Sequence, residues 1–224
     1  MAGKPNILVW DGALRLFHWT AALLVLSMWW TAENGLMDWH RRLGMIVFGL
    51  LVFRLVWGVI GPRTARFSSW RIGPRAILSY VKALASGHHR PAFGPNPLGT
   101  LSVIALLLAL CVQVAAGLFA VDVDGLESGP LARFVSFDAG RQAAEIHEIS
   151  FNILLGLIGL HVAAIVAYLV FFKDNLVRPM VTGRRAEDDF DDTGLADNRV
   201  SWARVLVAVL VAGAAIWGVG IVAG

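Results

Sequence analysis

Long apolar stretches constrain the fold of this chain more than any other feature of its sequence. A helix of about 20 mostly apolar residues is long enough to cross the hydrocarbon core of a bilayer. Overall, 57% of the residues are hydrophobic, 16% are charged and the mean hydropathy is +0.67, which is typical of a membrane protein. The sequence therefore predicts an all-α integral membrane protein with five spans, at about residues 14–31, 43–60, 98–121, 149–172 and 202–222.

The loops between these spans predict the orientation of the chain. Residues 61–97 contain no aspartate or glutamate, whereas residues 121–146 are dominated by acidic side chains. The positive-inside rule places the basic loop and the N-terminus in the cytoplasm, and the C-terminus on the opposite face of the membrane. Because the basic residues follow the topology, they predict contact with anionic membrane lipid and not with nucleic acid. The basic loop residues are Arg63, Arg66, Arg71, Arg75, Lys82 and Arg90.

The distribution of apolar and charged residues also predicts the domain organisation. Residues 1–185 form a membrane domain, residues 186–200 an acidic cytoplasmic linker, and residues 201–224 an additional transmembrane helix. The last span lacks histidine, acid and amide side chains, so we expect it to pack without binding a cofactor. The single cysteine, Cys111, allows neither a disulfide framework nor a CxxCH haem attachment. Any haem must therefore bind non-covalently.

Two histidines lie in the fourth apolar stretch, in the segment "EIHEISFNILLGLIGLH" (145–161). The fourteen residues from His147 to His161 turn a helix by about 1400°, roughly 40° short of four turns, so both side chains share a face. They lie about 21 Å apart along the helix axis. Ionisable side chains are costly inside a membrane and usually functional there. This spacing predicts two sites at different depths of one membrane.

Two further histidines match these depths on other spans. His18 lies near the cytoplasmic start of the first span and His40 near the periplasmic end of the second, so His18 pairs with His161 and His40 with His147. Opposed imidazoles suit the two axial positions of a haem iron, whereas zinc usually takes three or four clustered protein ligands. Taken singly, each histidine is also explained as a polar residue at the membrane interface. His88 and His89 are interpreted as surface residues of the cytoplasmic loop.

Several segments resemble the prokaryotic cytochrome b561 family, which also includes the b-type cytochrome subunit of nickel-iron hydrogenases. The resemblance covers about residues 7–185 and implies a four-helix transmembrane bundle that binds two b haems through His18, His40, His147 and His161. The fifth helix is not part of the minimal bundle, and Pro95 stands where a common family form has histidine. The segments are "VWDGALRLFHW", "HRRLGMIVFGLLVFRLVWGVIGPR", "GPNPLGTLSV", "HEISFNILLGLIGLHV" and "NLVRPMVTGRR".

Two arginines are further candidates for the haem sites. Arg54 lies at the depth of the cytoplasmic haem, where it either pairs with a haem propionate or reaches to the cytoplasmic interface. Arg15 lies one turn before His18 and either serves the same haem or anchors the first helix at lipid headgroups. Both interpretations remain open for each arginine.

Bis-histidine ligation predicts electron transfer, because an iron with both axial positions filled offers no open site to a substrate. The resemblance implies transfer between the membrane quinone pool and a periplasmic c-type cytochrome, hydrogenase or other redox protein. We expect the quinone near the cytoplasmic haem, because polar residues gather at the cytoplasmic boundary; contact with lipid headgroups explains the same residues equally well. These residues are Arg54, Arg63, Arg75, Asn96, Asn175 and Arg178. The resemblance to a prokaryotic family also implies a bacterial inner membrane, with the C-terminus in the periplasm. Two alternatives remain: a stand-alone superoxide:quinone oxidoreductase, and a non-redox transporter or assembly protein.

Overall fold

A computed structural model describes residues 6–70, 72–89, 91–186 and 198–223. Within that part of the chain, five helices are long and apolar enough to cross a membrane, which confirms the predicted membrane helical bundle. The acidic run of the predicted linker, together with Arg71 and Arg90, lies outside the described residues. In chain order the elements are β1 (Asn6–Leu8), α1 (Gly12–Glu33), α2 (Met37–Ile60), α3 (Pro74–Ala85), α4 (Pro97–Phe119), α5 (Phe137–Phe171), α6 (Val177–Thr182), β2 (Arg184–Ala186) and α7 (Trp202–Ala223).

Helix α5 begins twelve residues before the predicted fourth span. Its 35 residues reach about 52 Å, which exceeds the roughly 30 Å hydrocarbon core. Residues 137–146, interpreted from the sequence as part of a loop, are helical. The prediction was wrong here because it followed hydropathy, and a polar first segment of a long helix lacks the apolar signal. Helix α3 was also not predicted. Its twelve residues form one polar and one apolar face, so the sequence contains no continuous apolar run there.

The chain separates into two compact units, each built from three stretches. One, here called the terminal unit, comprises Met1–Leu16, Trp57–Ala105 and Leu157–Val205; the other, here called the central unit, comprises Phe17–Val56, Leu106–Gly156 and Leu206–Gly224. Each of the five long helices contributes one segment to each unit.

In the terminal unit, Asn198 and Asp11 fix the start of the chain. The strands β1 and β2 pair antiparallel, with Ile7 opposite Arg185. The amide nitrogen of Asn198 donates to the carbonyls of Leu8 at 3.1 Å and Val9 at 3.2 Å. The carboxylate of Asp11 accepts from the Leu14 backbone N–H at 2.9 Å and thereby satisfies an N-terminal donor of α1.

In the central unit, α7 packs closely against α2. A Cβ atom added at Gly49 would lie 2.3 Å from the Cδ1 of Ile216, so a larger residue there would require the Ile216 side chain to shift. Ala208 and Ala212 of α7 are buried, as expected of small residues at an interface between membrane helices. The fifth span thus packs on α2, and the expectation that it binds no cofactor stays a prediction.

Candidate haem site

The rings of His40 and His147 lie next to each other in the central unit, edge to face. His40 lies in the first turn of α2, and His147 lies in the polar first part of α5. Their ring centroids are 6.1 Å apart and the ring planes are inclined by 79°. Thus the structure brings together the two histidines that the depth argument pairs at the periplasmic end.

The two rings are held in the same way. The Nδ1 of His40 donates to the carbonyl of Met28 at 3.0 Å, and the Nδ1 of His147 donates to the carbonyl of Gln113 at 2.9 Å. A backbone carbonyl accepts only, so the proton of each neutral ring resides on Nδ1 and the lone pair on Nε2. Histidines that bind metals commonly have their second nitrogen fixed in this way.

The spacing of the pair fits a metal held between the rings. Two imidazole nitrogens at about 2 Å from one metal place the ring centroids about 6 Å apart, which agrees with the 6.1 Å measured. Among the described residues, no group of three or more His, Cys, Asp or Glu side chains is arranged to hold a metal ion. A metal bound by this pair would bring its remaining ligands with it, as the iron of a haem does.

Gln113 and Gly117 of α4 complete the surroundings of His147. The Gln113 side-chain amide lies 3.0 Å from the Nε2 of His147, and Ser150 donates to the amide oxygen. A Cβ atom at Gly117 would lie 2.8 Å from the Cε1 of His147, so glycine at this position makes room for the ring. Gln113 and Gly117 were not predicted from the sequence, because neither carries a charge and α4 contains no histidine to mark the site.

The histidines of the second predicted pair, His18 and His161, lie in different units. His161, in the terminal unit, has its Nδ1 at 3.3 Å from the hydroxyl of Ser102 on α4. His18, in the central unit, makes an edge contact with Trp19 at a centroid distance of 5.0 Å. The pairing of His18 with His161 stays a prediction from their matched depths.

The two candidate arginines differ in their surroundings. Only 3% of Arg54 is exposed, and its guanidinium carbon lies 6.0 Å from the centroid of the Phe17 ring within the central unit. Arg15, in the terminal unit, donates to the carbonyl of Val181 at the end of α6. This contact ties α1 to α6, a role that the sequence did not indicate.

His89 is not a surface residue, in contrast to the sequence-based interpretation. Its side chain is 6% exposed, and its Nε2 lies 2.8 Å from the Oδ2 of Asp174. Its ring also contacts Tyr168 and Phe172, with centroids 5.1 and 5.2 Å away. The loop sequence around His89 is polar, and the residues that bury it come from distant positions, so the local pattern gave no signal. His88 is exposed as predicted.

A bundle of apolar helices that positions opposed, carbonyl-bonded histidines is the architecture of a haem-binding membrane protein. The family profile described as prokaryotic cytochrome b561 matches residues 9–183, so the chain belongs to that family. No curated protein matches the sequence. The protein is therefore a multi-pass bacterial membrane cytochrome that binds b-type haem and functions in electron transfer.

Proposed function

We propose that this cytochrome carries two b haems and passes electrons across the membrane between the quinone pool and a periplasmic redox partner. One haem, the outer haem, is held by His40 and His147, and the other, the inner haem, by His18 and His161. The proposal is supported above all by the adjacent pair His40 and His147, whose ring centroids are 6.1 Å apart and whose Nδ1 atoms both bond backbone carbonyls.

The residues of the pair determine the class of chemistry. When bound, b haem supplies a one-electron iron couple. His40 and His147 would hold the haem iron and leave it no open position for a substrate, which favours outer-sphere electron transfer. The Nδ1–H groups orient both rings, so each Nε2 would be the nitrogen that holds the iron, and the Gln113 amide would then have to move from its position beside His147.

For the inner haem, His161 has a matching support. The Ser102 hydroxyl holds the Nδ1 of His161, which leaves Nε2 as the ligating nitrogen. Arg54 is proposed to pair with a propionate of this haem. Its burial supports this interpretation, because a side chain that reaches to the interface would keep its guanidinium exposed. Arg15 has its contact with Val181 and is proposed only to position the helix that carries His18.

The proposed orientation follows the loop charges. The described basic residues Arg63, Arg66, Arg75 and Lys82 precede α4 with no acidic residue among them, which supports a cytoplasmic position for that loop. The N-terminus is then cytoplasmic and the C-terminus periplasmic. The quinone site is proposed near His161, where Asn96, just before α4, and Ser102 of α4 offer hydrogen bonds to a quinone carbonyl.

The periplasmic partner is proposed to be a c-type cytochrome or another redox protein. Near the outer pair, Arg41 bonds both Asp38 and Glu127, so its charge is offset by acids. Superoxide oxidation would favour a basic, open edge, and these pairings therefore support a protein partner over superoxide. Membership in a cytochrome family likewise favours both redox hypotheses over a non-redox transporter.

An optical redox titration of the purified protein tests the proposal. We expect split α bands of b haem and two one-electron transitions, and rapid mixing with a ubiquinol analogue should reduce the inner haem first. The inner haem is identified as the component missing from His161→Ala. A colourless protein contradicts the haem proposal, and full-rate reduction of the outer haem in His161→Ala contradicts the quinone placement.

A further inference from the structure

Five side chains of the terminal unit form a hydrogen-bonded line that haem binding does not use. The Oδ2 of Asp174 lies 2.8 Å from the Nε2 of His89, and the Nδ1 of His89 lies 3.5 Å from the hydroxyl of Tyr80. The hydroxyls of Tyr80 and Tyr168 are 2.9 Å apart, and the Asn96 amide donates to Tyr168 at 3.3 Å. These residues come from α3, α5, the loop between α3 and α4 and the loop after α5, so the line is formed by the tertiary fold.

This line contains both tyrosines of the sequence, and their hydroxyls bond each other. Burial, and then the hydrogen bond from Tyr168, raises the pKa of Tyr80 far above its usual value. Its hydroxyl therefore stays protonated at neutral pH and can donate and accept at once.

One end of the line is charged. Asp174 is 5% exposed and pairs with Arg185, whose side chain is 12% exposed. Arg185 belongs to β2, where it lies opposite Ile7 of β1. A carboxylate can accept and release a proton, so Asp174 is the acid-base group at this end of the line.

The other end lies on the helix face that carries His161. The seven residues from His161 to Tyr168 turn α5 by about 700°, roughly 20° short of two turns, and advance about 10 Å. Asn96, which directly precedes α4, contacts Tyr168, and Ser102 of α4 contacts His161. The line therefore ends at the part of α4 and α5 where the quinone site is proposed.

We propose that Asp174, His89, Tyr80 and Tyr168 form a proton-transfer chain between the solution and a quinone bound at the Asn96 end. This inference rests on the proposed quinone function and names the route that the function requires. Oxidation of a quinol releases two electrons and two protons. Each electron reduces one ferric haem iron to ferrous, and each proton leaves along the chain.

Each proton transfer is balanced by a transfer at the next residue. Tyr168 accepts a proton from the quinol as its own proton passes to Tyr80, and Tyr80 passes its proton to the Nδ1 of His89. The Nε2 of His89 then gives its proton to Asp174, which releases it to solvent. Quinone reduction uses the same transfers in reverse. Asn96 holds the end of the chain by its hydrogen bond to Tyr168 and carries no proton itself.

A purely structural network of the same residues predicts different behaviour. It would stabilise the fold, and its loss would affect every reduction of the haems alike. A proton path affects only reactions that release or take up protons, and it gives those reactions a solvent isotope effect. The two roles are therefore separable on the intact haem protein.

The decisive variants are Tyr80→Phe, which removes one hydroxyl, and His89→Asn, with the adjacent exposed His88→Asn as the matched control. Rapid mixing measures haem reduction by a ubiquinol analogue and by dithionite, each in H2O and D2O. We expect the quinol rate to fall by about tenfold or more in Tyr80→Phe and His89→Asn. Haem content and dithionite reduction should match the wild type, and His88→Asn should match it in every assay.

Asp174→Asn provides rescue and a spectroscopic readout. Its quinol rate should also fall and should recover when a small weak acid such as formic acid is added. In redox-difference infrared spectra, the wild type should show a carboxyl band that shifts in D2O and is absent from Asp174→Asn. This band reports protonation directly and does not depend on turnover with quinol.

Three results would overturn the proton chain: an unchanged quinol rate and isotope effect in Tyr80→Phe and His89→Asn, an equal loss of quinol and dithionite reduction, or no carboxyl band in the wild type. If Tyr80→Phe fails to assemble haem, the wild-type carboxyl band decides. A wild type that quinol does not reduce removes the proposed quinone function and this inference with it, whereas a reactive wild type with equally reactive variants removes only the proton chain.

Discussion

The pair His40 and His147 in the central unit and His89 in the terminal unit show two uses of one residue type. His40 and His147 each bond a backbone carbonyl through Nδ1. His89 instead lies between a carboxylate and a phenol, the side chains of Asp174 and Tyr80. A carbonyl cannot accept a proton under these conditions, so it fixes the ring, whereas both partners of His89 exchange protons.

The comparison shows that the groups bonded to the two ring nitrogens indicate what a buried histidine does. A fixed tautomer leaves one lone pair for a metal, and a partner on each side that can take or give a proton makes the ring a relay. Position in the sequence does not separate the two cases. His40 and His89 are each followed directly by an arginine in the sequence.

The largest effect is expected from the ion pair at the charged end of the terminal unit. Asp174→Asn leaves the Arg185 guanidinium without its carboxylate at a largely buried position, which costs about 3–5 kcal/mol of unfolding free energy. Thermal unfolding followed by circular dichroism should show this loss. The control is Asp38→Asn, which breaks a pair whose side chains are 39% and 80% exposed and costs about 1 kcal/mol or less. Equal losses in the two variants would contradict the difference in burial.

A smaller effect is expected at the wall of the outer haem site. Gly117→Ala places a Cβ atom 2.8 Å from the Cε1 of His147 and pushes the ring out of position. We expect haem affinity at the outer site to fall by roughly 10–100-fold, the usual effect of displacing the support of a metal ligand. Haem titration of the protein measures it. Gly213→Ala is the matched control, since its Cβ would meet nothing within 4 Å; full affinity in both variants would contradict the packing argument.

A third and weaker effect is expected at Thr31, whose hydroxyl lies 3.4 Å from the Nδ1 of His40. The carbonyl of Met28 already accepts from the same nitrogen at 3.0 Å, so Thr31→Val removes a secondary contact. We expect a loss of about 0.5–1.5 kcal/mol in haem binding at the outer site. A complete loss of the outer haem would show that the carbonyl alone does not hold the ring.

The smallest effect on haem is expected from the fifth helix. Truncation before Val200 removes the contact of Ile216 with Gly49 but removes no proposed ligand. The detergent-purified protein should retain both haems and unfold at a lower temperature. Loss of one particular haem on truncation would show that α7 shapes a haem site.

The helices and the outer histidine pair were predictable because membrane burial leaves a strong local signal. An apolar run of about 20 residues identifies a span without reference to the rest of the chain. A regular helix then places His147 and His161 at calculable depths, and opposite chain directions match His147 with His40. The family resemblance agrees with the match of residues 9–183.

The remaining features were not predictable because their partners lie far apart in sequence. Asp174 is 85 residues from His89, and Gln113 is 34 residues from His147. Gly117 matters only because the ring of His147 packs on it. Helical periodicity contains no information about such contacts, since they depend on which helices become neighbours.

The haem content of histidine variants is the most direct test of whether His40 and His147 hold one haem together. His40→Ala, His147→Ala and His89→Ala are purified in parallel, and the pyridine haemochrome assay gives haem per chain. We expect His40→Ala and His147→Ala each to lose one and the same haem, judged by the missing α band and redox transition, and His89→Ala to retain both. Two haems in His40→Ala or His147→Ala, loss of different haems in these two variants, or loss of a haem in His89→Ala would contradict this expectation.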